Sequence, residues 1–148
     1  MSEITKNIEV VRCSPYLTAE TEEALSRLRE LPLPVQLVLR AMQHFASKAL
    51  DGADVYITYD GNAYFEAITK RSAFVFERIS ENTYVLHFER QRGSTELVKK
   101  VLIRCDEETA KRIVEVLYST FTDAVENGNV DIRPVLELFG IEARQAQP

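Results

Sequence analysis

Two hydrophobic periods divide the chain. Between residues 18 and 50, apolar side chains recur at spacings of three and four. Between 53 and 104 they alternate, and from 106 to 139 the wider spacing returns. The first period belongs to helices with one buried stripe, and the second to strands whose neighbouring side chains point to opposite faces. Thr18 precedes AETEEALSRLREL, where acids are followed by Leu25, Leu28 and Leu31; this predicts a helix with its acids at the positive end of the dipole. Pro32 and Pro34 end that segment and open a second helix, VQLVLRAMQHFASKAL, which Asp51-Gly52 closes.

DVYITYD, AYFEAITK, SAFVFERIS, NTYVLHFERQ and TELVKKVLIR then follow one another across short polar turns. Connections this short join antiparallel neighbours, because a parallel crossover takes about a dozen residues. A five-stranded antiparallel meander is therefore predicted over roughly residues 53–104. EITKNIEVVR, at residues 3–12, is a further candidate strand. Asp106 caps a long helix carrying Ile113, Leu117, Phe121 and Ala124/Val125, Gly128 ends it, and PVLELF forms a short last helix before Gly140. The expected fold is α+β: N-terminal helices, the meander, and C-terminal helices packed on one sheet face. With 148 residues, 45% of them apolar, the chain has the length of a single domain. Within it, residues 1–52 hold the N-terminal strand and helices, 53–104 the sheet, 105–140 the C-terminal helices and 141–148 a tail.

The alternation also predicts which face is buried. Leu86, Phe88, Val101 and Ile103 are expected beneath the helices; the opposite face then carries His87, Lys100 and Arg104 beside apolar residues. A register slip of one residue would exchange the two faces.

Charge changes the picture only when it is partitioned. The chain has 18 Lys and Arg against 23 Asp and Glu, a net −5 that at first argues against a phosphate-binding partner. Residues 62–104, however, hold eight bases and five acids, while residues 1–61 hold six and nine and residues 105–148 four and nine. The sheet is basic within acidic flanks. Of 13 aromatic residues, eight lie between 54 and 90: Tyr56, Tyr59, Tyr64, Phe65, Phe74, Phe76, Tyr84 and Phe88. Cations that follow phosphates, interleaved with rings that stack bases, are what a single strand of nucleic acid requires. Filling the core is the competing use for those rings.

Signs of catalysis are lacking. His44 and His87 stand in no metal-ligand spacing, and no Gly-rich phosphate loop or nucleophile elbow occurs. His44 is read as a surface or boundary residue. Glu20, Glu22, Glu23, Glu107 and Glu108 are read as helix-dipole partners. No enzyme activity, cofactor or metal is expected. Cys13 and Cys105 read as buried thiols of a reduced compartment, with a disulfide between them as the alternative should the fold bring them together. The acid-bearing MSEITKNIEV does not read as a signal peptide, and no apolar run of 18 residues exists, so a cytoplasmic protein without membrane attachment is expected.

The order of helices, an aromatic and basic sheet (YFEAITK, FVFERIS, YVLHFERQR, LVKKVLIR) and C-terminal helices resembles the ThermoDBP family. These are archaeal single-stranded nucleic-acid-binding proteins without an OB-fold. The resemblance covers about residues 18–140 and rests on architecture and composition. It implies a cleft by the sheet that holds the strand, and C-terminal segments that mediate oligomerisation. The resulting expectation is non-catalytic binding of single-stranded DNA, in preference to RNA, with little sequence preference. The charge and aromatic pattern of the sheet, and not any family motif, makes Tyr64, Lys70, Arg71, Arg78, Arg90, Arg92, Lys99 and Lys100 the expected contact residues. A homodimer through the C-terminal helices, using the stripe from Ile113 to Val125 and Val135, Leu136, Leu138 and Phe139, is a further expectation, with packing in the chain's own core as the leading use of these residues. The alternative is an interaction subunit whose semi-apolar sheet face meets another protein.

Overall fold

A computed structural model describes residues 8–12, 31–92 and 95–140, with side chains described over 31–91 and 98–140. The elements in chain order are β1 (Ile8–Arg12), α1 (Leu33–Leu50), β2 (Tyr56–Asp60), β3 (Tyr64–Ile68), β4 (Ser72–Ser80), β5 (Thr83–Arg92), β6 (Thr95–Arg104), α2 (Glu107–Asn127) and α3 (Arg133–Leu138). The fold is α+β, with the expected meander running from β2 to β6. β1 adds to its far edge, antiparallel to β6, giving the order β1-β6-β5-β4-β3-β2. The helix predicted after Thr18 and the tail from 141 lie outside the described residues.

Local chemistry accounts for the element ends. Pro34 sits in the first turn of α1, where its missing N–H leaves no helical bond unmade. The Asp106 carboxylate accepts from the Thr109 N–H at 2.8 Å, capping α2, and Glu107 and Glu108 follow at the dipole's positive end. Gly128 takes φ +68° at the end of α2, a conformation in which a side chain would be strained. Between β2 and β3, the Asp60 side chain accepts from the Asn62 N–H at 2.8 Å and holds the turn.

The helices pack on the face that alternation selected. Phe65, Phe74, Phe76, Leu86, Phe88, Val101 and Ile103 join Val38, Met42 and Phe45 of α1 and Ile113, Leu117 and Phe121 of α2 in one buried cluster. Phe121 is its hub: its ring lies 4.8 Å from Phe74, 5.1 Å from Phe65 and 6.2 Å from Phe45, centroid to centroid. Burying one such ring stabilises the fold by about 1.5–3 kcal/mol.

Two groups of residues with competing uses are placed here. Five of the eight strand aromatics, Phe65, Phe74, Phe76, Tyr84 and Phe88, are at most 1% exposed, so they fill the core and cannot stack bases. Val135, Leu136, Leu138 and Phe139 are likewise buried within the chain's own core, so they do not form the apolar surface that a C-terminal dimer would use. No helix among the described residues is long and apolar enough to cross a membrane.

Candidate anion-binding cleft

The sheet has two ends. At one, the β4–β5 hairpin turns at Glu81–Asn82 beside the start of α2. At the other, the β3–β4 turn meets the last residues of β5. This second end is built around Thr69, Lys70 and Arg71. The Thr69 N–H donates to the Ser72 carbonyl at 2.9 Å, and the Arg71 N–H reaches the Thr69 hydroxyl at 3.3 Å. The Gln91 N–H then donates to the Arg71 carbonyl at 2.8 Å, tying β5 to the turn. With its backbone held this way, the turn sends the side chains of Lys70 and Arg71 into solvent.

These segments enclose a cavity of about 310 Å³ lined by the turn, by Ile68 and Ala73, and by Glu89, Arg90 and Gln91. Among the described residues, three cations thus share the lining with one carboxylate. Arg90 is half-buried and directly opposite Ser72 in the ladder, so the two share a face at close cross-strand distance. Lys99, half-buried and opposite Phe88, is its diagonal neighbour on that face.

A hydrogen-bond chain braces the helix side of the cleft. His44 Nε2 lies 2.9 Å from Ser72 Oγ, which lies 2.5 Å from Thr69 Oγ1. The imidazole also meets Phe45 and Phe88 edge-on, at centroid distances of 5.2 and 5.6 Å. Burial, then the charges of Arg90 and Lys48, lower the His44 pKa to about 4. The imidazole is therefore neutral near pH 7, and its nitrogen pairs with a hydroxyl without adding charge to the cleft. Ser72 is 6% exposed, so its hydroxyl is a brace more than a nucleophile.

The outer face of the sheet, away from the helices, differs from the expected basic surface. One row runs Glu66, Val75, His87, Lys100, and the next pairs Glu77, Val85 and Leu102. The Tyr64 hydroxyl donates to Glu66 at 3.0 Å; burial and that carboxylate push its pKa up to about 12. His87 Nε2 lies 3.4 Å from a Glu89 carboxylate oxygen, a contact without hydrogen-bond geometry. Nearest the cleft the row is Tyr56, Ile68, Ala73, Glu89. Tyr56 is 60% exposed and stands one strand from the cavity wall.

The eight predicted contact residues therefore divide. Lys70, Arg71 and Arg90 line the cavity, and Lys99 stands beside Arg90. The Arg92 backbone ends β5 at the same end of the sheet, and its side chain lies outside the described residues. Tyr64 and Lys100 lie on the outer face among carboxylates. Arg78 sits at the hairpin end, six residues along β4 from Ser72, or about 20 Å. There its guanidinium donates to the Tyr84 hydroxyl at 2.8 Å, lies 5.4 Å from that ring's centre and stands 3.9 Å from Glu107.

Sequence reading did not single out Tyr56, exposed on the edge strand, or the His44–Ser72–Thr69 hydrogen-bond chain. The exposed aromatic opposite Ile68 is the only trace of the first, and a pairing across 28 positions leaves no local trace of the second. A second cavity, of about 560 Å³, is lined by Tyr118, Asp123, Glu126 and Asp131, and its acids repel anions. Among the described residues no group of three or more His, Cys, Asp or Glu side chains could hold a metal ion. No protein-family model, no characterised protein and no solved structure matches the chain.

Proposed function

We propose that the protein binds single-stranded nucleic acid, DNA in preference to RNA, without catalysis and with little sequence preference. One observation carries this reading: Lys70, Arg71 and Arg90, from two separate segments, line a single cavity whose only acid among the described residues is Glu89. Guanidinium groups suit phosphate because they form bidentate, charge-assisted hydrogen bonds. Tyr56, exposed one strand away, offers a face on which a base of any identity can stack, a contact worth roughly 1–3 kcal/mol. The resemblance to archaeal ThermoDBP-like proteins points the same way. A cytoplasmic setting fits the single described thiol, Cys105, which is half-buried and whose pKa burial raises to about 11.

The outer face favours a second reading, an interaction subunit. Val75 and Val85 are buried there at 9% and 8% exposure, and Leu102 is half-buried beside them, outside the helix-covered cluster. Titrating a labelled oligo-dT of about 20 nucleotides into the protein separates the two readings. The first predicts binding that weakens steeply between roughly 50 and 200 mM salt. No binding at tens of micromolar in low salt would remove the first and leave the second.

A further inference from the structure

Three features of the cleft limit what it can hold. Among the described residues, Lys70, Arg71 and Arg90 line one cavity at one end of the sheet. Along the outer face the next rows carry Glu66 and Glu77, which repel a continuing phosphate backbone. On the helix side, α1 closes the cleft through the His44–Ser72 hydrogen bond. The cavity, at about 310 Å³, lies at the small end of the range for ligand sites. A groove that follows a strand needs cations at successive phosphates, and here Lys70, Arg71 and Arg90 line one cavity.

We infer that the cleft recognises the phosphorylated end of a single strand: Lys70, Arg71 and Arg90 hold a terminal phosphate monoester. The inference rests on the nucleic-acid reading above and names which part of the strand the site takes. A terminal monoester carries nearly two negative charges and three acceptor oxygens at neutral pH, whereas an internal diester carries one charge. Three cations lining one small cavity therefore favour the end over the interior. The two strand ends share this chemistry, so both must be compared.

The test uses the full chain and three labelled oligo-dT strands of equal length: one 5′-phosphorylated, one 3′-phosphorylated, one with hydroxyls at both ends. The label is attached to an internal base. The expected result is about tenfold tighter binding of one phosphorylated strand over the hydroxyl strand, and the preferred end identifies the source of the phosphate. Arg71→Ala, at an exposed turn position, should abolish that preference while leaving the helical circular-dichroism signal unchanged. Equal affinity for all three strands overturns end recognition and leaves strand binding standing. Failure of every strand to bind overturns both. A preference that survives Arg71→Ala overturns the assignment of the phosphate to this cavity.

Discussion

The two ends of the sheet carry the same kind of residue put to opposite uses. At the hairpin end, Arg78 is held by the Tyr84 hydroxyl, lies against the Tyr84 ring and faces Glu107. Its charge is engaged within the fold. At the cleft end, Lys70 and Arg71 project from a turn whose hydrogen bonds are made by its backbone and by hydroxyls, and among the described residues no ion pair engages either. Arg90, opposite Ser72 in the ladder, lines the same cavity. A basic residue in a strand is thus a weak sign of a site. A basic residue whose neighbours satisfy the backbone and leave its charge facing a cavity is a stronger one.

The largest expected effect separates the ends directly. Arg71→Ala combined with Arg90→Ala should weaken oligo-dT binding by a hundredfold or more, since each charge-assisted contact is worth roughly 1.5–3 kcal/mol. Arg78→Ala should leave the affinity unchanged. Fluorescence anisotropy titrations of both proteins would show it, and equal losses would dissolve the distinction.

Stability tests the brace. Ser72→Ala leaves the His44 nitrogen without its hydroxyl partner, so urea unfolding should show a loss of roughly 1–3 kcal/mol. At the hairpin end, Tyr84→Phe removes a partner from a guanidinium that solvent still reaches, and the loss should be smaller. The reverse order would mean that the brace does not hold the cleft.

The smallest effect is on pH. The folded-state pKa of His44, about 4, lies below the ordinary 6.5, so between these values the unfolded chain binds a proton that the folded chain does not. The resulting stability is fully present above about pH 6.5 and is lost as the pH falls towards 4. Partial exposure of the ring screens the effect to roughly 1–2 kcal/mol. His44→Gln should flatten unfolding curves over that window. Loss at lower pH should remain, because Asp106 and Asp131, both lowered by hydrogen bonds from Thr109 and Arg133, titrate there. A window unchanged in His44→Gln would assign the loss to other groups.

Most of the fold was legible because it is written in local period. β4 and β6 run over Ser72–Ser80 and Thr95–Arg104, the same residues as the predicted SAFVFERIS and TELVKKVLIR segments. Asp106 and Gly128 bound α2 as its caps predict. The candidate site was only half legible. Lys70, Arg71 and Arg90 announce themselves as charges in turns and strand ends, but their sharing of one cavity depends on the β4–β5 register. The same reading enrolled Arg78, Tyr64 and Lys100. Parity along a strand cannot reveal that Arg78 meets Tyr84 and Glu107, or that Tyr64 meets Glu66. Nor can composition tell Phe65, Phe74 and Phe88, which pack against Phe121 or Phe45, from an exposed stacking ring such as Tyr56.

The most direct measurement is the salt dependence of oligo-dT affinity in the wild-type protein, Arg90→Ala and Arg78→Ala. Each lost phosphate contact should reduce the slope of log affinity against log salt by about 0.7 for a single strand. A shallower slope in Arg90→Ala, beside a wild-type slope in Arg78→Ala, is the predicted result. A slope that drops in Arg78→Ala and holds in Arg90→Ala would place the phosphates at the hairpin end and contradict the cleft.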